Sequence, residues 1–290
     1  MTQQQREGLF FILLSSIGYA LLPVFTKNIY AGSDLRPADM AVWRFAFAVP
    51  AMWLAIRVMR LPAPENPLPR RALLGMGAIY SVAGLTMNLA LEKIPVSLYI
   101  TLLFTYPAMV SVLSIFLGEP LPRIGWLALI LTTAGVILTA GEPEAFAEGN
   151  LGGIAATAAN ALAMAFYYVL FSRVMAGKDS LARATTWVLS GTLITLLLFS
   201  LLQGLRFPQA LGVWANLVGV GTIGTAFPIF TLNAGVQRIG APRASIISSI
   251  EPALATIVAV LLLGEAVPGI LQIAGMALIA GSIVLLQLRR

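Results

Sequence analysis

Apolar residues along the chain gather into ten segments of about 20 residues, the length a helix needs to cross the hydrocarbon layer of a bilayer. They fall at 8–29, 38–59, 72–91, 95–117, 123–141, 151–173, 181–203, 212–234, 242–263 and 268–287. Polar positions collect between them in short connections. The longest connections are a proline-rich stretch at 61–71 and an acidic one at 142–150, and neither can hold a soluble domain. The pattern predicts an all-α integral membrane protein of ten transmembrane helices.

Composition sharpens this reading. Hydrophobic residues make up 59% and charged residues 10% of the 290, against about 45–50% and 25% in globular chains. The first segment follows Arg6 and runs to Val24 without a small-x-small cleavage site, so it reads as an uncleaved span. The chain has no cysteine and no histidine, which excludes disulfides, thiolate chemistry, imidazole metal sites and histidine proton relays. No cofactor and no metal is expected. The net charge of +6 sits between spans rather than on a nucleic-acid-binding face. With the N-terminus inside, thirteen of the eighteen Lys and Arg fall on one face and four on the other, with Arg44 inside span 2. By the positive-inside rule the first face is cytoplasmic and carries both termini.

The chain also repeats itself at a distance of about 145 residues. Lys93-Ile94, Tyr106-Pro107-Ala108 and Leu117-Gly118-Glu119 return as Arg238-Ile239, Glu251-Pro252-Ala253 and Leu263-Gly264-Glu265. Thr86 and Asn88 extend the echo to Thr231 and Asn233, and Gly135 and Gly281 each follow sixteen residues after the glutamate. Two units, 1–145 and 146–290, therefore each hold five spans. Five is odd, so the second unit enters the membrane from the opposite side. Two inverted five-helix repeats around a central cavity at mid-membrane are the expectation.

Within the spans, Pro23, Pro50, Pro107, Pro228 and Pro252 each remove a backbone donor and favour a kink. Pro107 and Pro252 occupy matching positions and are candidate hinges. Gly219, Gly221, Gly224 and Phe227-Pro228 make span 8 a weak helix, locally unwound or closely packed. Two full charges lie well inside spans. Glu251 is nine residues into span 9, about 13 Å at 1.5 Å per residue. Arg44 is six residues into span 2. An ionised group at such depth costs at least about 2.5 kcal/mol, so both face the bundle interior or water. Glu251 is a candidate proton carrier or ammonium ligand, or a structural acid that caps the backbone near Pro252. Polar and aromatic residues at helical spacing mark further cavity candidates: Tyr19, Tyr80, Asn88, Tyr99, Tyr106, Asn160 and Tyr167. Tyr99 also fits an interfacial belt. An aromatic, weakly charged cavity suits amines and zwitterions.

These residues carry a family resemblance over essentially the whole chain. Lys27 closing span 1, Arg44-Phe45 in span 2, Pro107 with Leu117-Gly118-Glu119, and Glu251-Pro252 with Leu262-Leu263-Gly264-Glu265 resemble the drug/metabolite transporter superfamily, specifically its ten-span EamA-type exporters. Within it the chain is similar to bacterial exporters of amino acids, the aromatic ones in particular. One interval departs from that pattern, since Pro107 to Glu119 is twelve residues where Pro252 to Glu265 is thirteen. The resemblance implies a bacterial inner-membrane secondary exporter working by alternating access, with an amino acid, amine or amphipathic drug as the expected cargo. Independently of it, Glu251 makes protons the candidate coupling partner, and a monomer is favoured over an oligomer. An uncoupled facilitator or channel and an exporter of another class such as nucleobases are the alternatives. An enzyme is not expected. An intramembrane aspartyl protease needs two carboxylates where Glu251 stands alone, zinc and serine sites need histidine, and no P-loop is present for ATP.

Overall fold

The computed structural model describes residues 2–61, 63–91, 93–94, 99, 102–116, 118, 121–139, 150–263 and 269–288, and among these every regular element is helical. The first half supplies α1 (Gln3–Ala31), α2 (Pro37–Val58), α3 (Arg70–Leu91), α4 (Tyr106–Phe116) and α5 (Arg123–Thr139). The second supplies α6 (Leu151–Val174), α7 (Leu181–Gln203), α8 (Leu211–Gly221), a π turn (Thr222–Ala226), α9 (Phe227–Ile239), α10 (Ala241–Ser248), α11 (Glu251–Leu263) and α12 (Ile270–Leu288). Among the described residues six helical runs are long and apolar enough to cross a membrane alone. They are Gln3–Ala31, Pro37–Val58, Leu151–Val174, Leu181–Gln203, Leu211–Ile239 and Ala241–Leu262. Shorter apolar helices cover Tyr106–Phe116, Arg123–Leu138 and Ile270–Leu286.

Local sequence explains the ends. Thr2 and Gln5 close a capping box at the start of α1, and the Asn150 side chain accepts the Gly152 and Gly153 amides at the start of α6. Pro37 sits in the first turn of α2, where its missing N–H costs nothing. Gly240, at φ +79, turns the chain from α9 into α10 in one residue, a conformation that favours glycine.

Helices that correspond in the two halves run antiparallel where they meet. In α5 and α12, Thr132 hydrogen-bonds Ser282 at 2.6 Å, while a Cβ on Gly135 would stand 2.7 Å from the Gly275 carbonyl oxygen. Numbers rise on one helix as they fall on the other. In α2 and α7, Arg36 donates to the Gln203 carbonyl and Trp53 lies edge-on to Trp187 with centroids 5.8 Å apart. The repeats are therefore inverted. The echo of Lys93-Ile94 in Arg238-Ile239 has a packing cause. A Cβ on Gly8 would stand 3.2 Å from the Arg238 Cβ and crowd Ile239; a Cβ on Gly153 would stand 3.1 Å from the Lys93 Cβ and 2.6 Å from Ile94 Cγ2. Each half ends its third span with a basic residue and an isoleucine laid over the glycine that opens the other half.

The proline pair behaves differently from an internal kink. Turn residues Phe104-Thr105 and Ser249-Ile250 interrupt spans 4 and 9, and new helices begin at Tyr106-Pro107 and Glu251-Pro252. The bond from Thr105 N–H to the Leu102 carbonyl is 3.2 Å, as is that from Ile250 N–H to the Ile247 carbonyl. Both prolines thus sit at the second helical position, where no donor is needed. Leu117, Glu119, Gly264, Glu265 and the acids of the 142–150 connection lie outside the described residues.

Contacts at the helix ends and connections join members of the same predicted face. Arg238 pairs with Glu7, Arg183 donates to the Leu61 carbonyl, and Gln237 donates to the Lys178 carbonyl. At the other end Arg206 donates to the Asp34 carbonyl and Trp43 to the Arg206 carbonyl. One carboxylate at each end ties a connection of the opposite half: Asp39 accepts the Arg206 amide at 3.3 Å, and Asp179 accepts the Glu65 amide at 2.9 Å. Asp39 is fully buried and also takes the Arg36 guanidinium at 2.7 and 3.0 Å. Arg36 reaches on to the Gly204 carbonyl. Asp179 is exposed, and the Glu65 amide holds its carboxyl below the ordinary carboxylate range. A lowered carboxylate pKa favours the fold above the unfolded value near 4, and the benefit disappears as pH falls through the lowered value. Asp39→Asn is expected to lower the unfolding midpoint of detergent-purified protein clearly, and Asp179→Asn to shift it little. Equal shifts would show that burial of Asp39 adds nothing.

Candidate functional site

The predicted polar residues sort into a central group and a side pair. Tyr80 of α3 is the hub of the centre. Its hydroxyl lies 3.0 Å from the Tyr19 hydroxyl of α1, its ring packs 5.0 Å from that of Tyr167 and 6.1 Å from Phe45. Tyr167 donates to Asn233 Oδ1 at 2.8 Å, and Asn233 Nδ2 donates to Thr185 Oγ1 at 3.0 Å. All three are buried, so each polar group needs the partner it has. Tyr106 turns toward α10: its hydroxyl lies 3.4 Å from the Ser245 carbonyl and 3.5 Å from the Tyr168 hydroxyl. Tyr168 donates to Ser248 Oγ at 3.0 Å.

Tyr99 and Asn160 form the side pair. Asn160 Nδ2 donates to the Tyr99 hydroxyl at 3.0 Å, in a separate buried cluster with Ala90 and Ile94. Tyr99 is 6% exposed, so it is a packed residue rather than an interfacial one. The side chain of Asn88 lies outside the described residues.

The π turn places Arg44. In this turn Phe227 N–H bonds the Thr222 carbonyl, five residues back, and Thr225 Oγ1 donates to the Val220 carbonyl at 2.6 Å. The widened turn aims Thr225 at α2, where its oxygen accepts Arg44 Nε. Close packing accompanies it, since a Cβ on Gly221 would stand 2.8 Å from the Arg44 carbonyl oxygen. Span 8 is thus widened and tightly packed rather than unwound.

A hydrogen-bond inventory shows what this centre leaves over. A phenol has one proton, so the Tyr19–Tyr80 contact uses one of two, and the second has no acceptor among the described residues. Arg44 spends Nε on Thr225 and has no other described hydrogen-bond partner, while Glu251 accepts no hydrogen bond from the described residues. Arg44 and Glu251 lie within electrostatic range of each other and of Tyr80, yet they close no ion pair within 4.0 Å among the described residues. Tyr19, Arg44 and Glu251 keep partial accessibility although they lie deep among the helices. The centre thus holds polar groups with unspent hydrogen-bonding capacity. A cleft of about 1040 Å³ lies elsewhere, along α2, and touches none of them.

Known proteins place this architecture. The profile of the EamA-like transporter family matches the chain twice, at residues 6–141 and 151–288. The chain belongs to the EamA-like transporter family. Relatives of this EamA protein include an uncharacterized transporter of Synechocystis, 27% identical over 97% of this chain and 93% of its own. Another is an uncharacterized transporter of Archaeoglobus fulgidus, 26% identical over 96% of both chains. A crystal structure 21% identical superposes with a TM-score of 0.79 and covers 97% of this chain and 96% of that one, which speaks to the fold alone. The EamA chain is therefore a multi-pass membrane transporter, with the family domain duplicated.

Several members of the site were weakly marked in the sequence. Asn233 stood out as an echo of Asn88, and Tyr168 as a neighbour of Tyr167. Thr185, Thr225 and Ser248 carried no signal, because a lone hydroxyl in a span usually bonds its own backbone. Those positions emerge only once α7 is seen beside α9, the π turn beside α2, and α10 beside α6.

Proposed function

We propose that the protein is a secondary exporter of amino acids, those with an aromatic side chain foremost, bound between the two halves. The observation that supports this is a pair of opposite charges, Arg44 and Glu251, that share the centre without pairing and have spare hydrogen-bonding capacity. A zwitterion completes them, its carboxylate on the Arg44 guanidinium and its ammonium on the Glu251 carboxylate. The rings of Tyr80, Tyr167 and Phe45 offer edges and faces to an aromatic side chain. The breaks before Tyr106-Pro107 and Glu251-Pro252 are equivalent points where each half can bend, so that the site opens first inside and then outside. Protons entering through Glu251 drive the cycle. Both termini lie in the cytoplasm of a bacterial inner membrane.

Counterflow in proteoliposomes tests the reading. Vesicles loaded with an unlabelled aromatic amino acid are expected to accumulate the labelled form transiently and saturably. The matching amine without the carboxylate, and the matching acid without the ammonium, compete weakly. Equal competition by the amine would make Arg44 irrelevant to recognition. Flux without counterflow would indicate an uncoupled channel.

A further inference from the structure

The cleft along α2 is separate from the centre and has its own chemistry. It is lined by Phe47, Pro50, Ala51 and Leu54 and ends at Arg57 and Arg60, with Arg183 of α7 beside them and Thr222 of the π turn across it. From Phe47 to Arg57 is ten residues, about 15 Å at 1.5 Å per residue. That is half of a hydrocarbon core of about 30 Å, so the apolar stretch spans one leaflet and the arginines stand at its headgroup level. Leu54 is 62% exposed, so the groove faces outward to the acyl region.

Two further observations point to an anion. A second, smaller pocket shares Trp53 and Arg183 with the cleft and adds Arg70, whose guanidinium lies 5.3 Å from the Trp187 ring centroid. Three arginines thus stand at the groove end and a fourth in the adjoining pocket, and the Asp179 carboxylate on the neighbouring connection is taken up by the Glu65 amide. Arg60 itself sits at φ +49, the one described non-glycine residue in the left-handed region. At this helix end glycine is the unstrained choice. The chain places a guanidinium there instead.

We infer that this cleft holds an anionic phospholipid. One acyl chain lies along Phe47, Pro50, Ala51 and Leu54, and the phosphate sits among Arg57, Arg60 and Arg183. Basic pockets between helices at the headgroup level recognise such lipids by charge, and the leaflet-long apolar wall distinguishes a lipid from a free anion.

Purified protein in detergent tests this with three additions: dioleoyl phosphatidylglycerol, dioleoyl phosphatidylcholine, and inorganic phosphate. Phosphatidylglycerol is expected to raise the unfolding midpoint by about 5 °C at saturation, and the other two to leave it within about 1 °C. The variant Arg57→Gln with Arg60→Gly removes two charges while relaxing the backbone at 60, so it folds and loses the phosphatidylglycerol effect. Equal shifts from both lipids, the same shift from phosphate alone, or an undiminished shift in the variant would each overturn the proposal. Brominated lipids give a second readout. Brominated phosphatidylglycerol is expected to quench Trp53 more than brominated phosphatidylcholine, a difference abolished by Trp53→Phe; equal quenching would count against the site.

Discussion

Glu251→Gln is expected to cut amino-acid affinity by about 10- to 150-fold and to make the remaining flux indifferent to a pH gradient, while the protein becomes slightly more stable. The opposite signs follow from one residue. A charge-assisted hydrogen bond to an ammonium contributes about 1.5–3 kcal/mol, and glutamine replaces it with a neutral one. The fold, in contrast, loses nothing that the structure shows, because Glu251 accepts no hydrogen bond from the described residues. Replacing an ionisable group at membrane depth by a neutral amide spares part of the cost of holding a charge there, so the gain is small. Glutamine also carries no exchangeable charge, so a proton gradient has nothing to act on there. Measuring flux with and without a pH gradient in proteoliposomes, beside the unfolding midpoint in detergent, separates the two roles. Unchanged gradient dependence would end the proton-carrier role. A fall in stability matching the fall in flux would make Glu251 a structural acid.

Gly191→Val is expected to prevent assembly. At the crossing of α3 and α7 the two backbones touch: a Cβ on Gly191 would stand 2.8 Å from Leu74 Cα and crowd the Leu74 carbonyl oxygen. A Cβ on Gly77 would stand 2.5 Å from the Thr192 amide nitrogen, and Thr192 Oγ1 donates to the Gly77 carbonyl at 3.0 Å. The obstacles are main-chain atoms of two buried helices, which cannot rotate away as a side-chain end can. Single extra methylenes in a packed interior cost about 1–3 kcal/mol, and valine brings three carbons against backbone, so the loss exceeds about 3 kcal/mol. Gly84→Ala on the same α3 is the control, since a Cβ there meets nothing within 4 Å. Size-exclusion profiles of the two variants are expected to show an aggregated Gly191→Val and a monodisperse Gly84→Ala. A well-folded Gly191→Val would mean that α3 and α7 are further apart than described.

Packing at this crossing also bears on the site. Tyr80 is one turn beyond Gly77 on α3, and Thr185 is two turns before Thr192 on α7. From the two helices of this crossing, Tyr80 reaches Tyr167 of α6 at 5.0 Å between ring centroids and Thr185 takes Asn233 of α9 at 3.0 Å. Small residues at the crossing and aromatic residues in the centre are parts of one arrangement.

Much was determined by the sequence alone, because hydropathy, charge bias and repetition are readable along a line. Ten apolar runs and thirteen cations on one face imply five spans per half. An odd number of spans forces the second half upside down, which α5 against α12 and α2 against α7 display. The pairing of Pro107 with Pro252 was equally legible. Only the tertiary structure decided which polar residues meet, since partners such as Tyr167 and Asn233 lie 66 positions apart and depend on how helices cross. In the sequence Tyr80 and Tyr106 look alike, and Tyr99 fits an interfacial belt as well; packing sends Tyr80 to Tyr19 and Tyr167, Tyr99 to Asn160 and Tyr106 to α10. The repeated Lys93-Ile94 and Arg238-Ile239 were visible as letters, but their cause, the glycines Gly8 and Gly153 beneath them, exists only where the two halves touch.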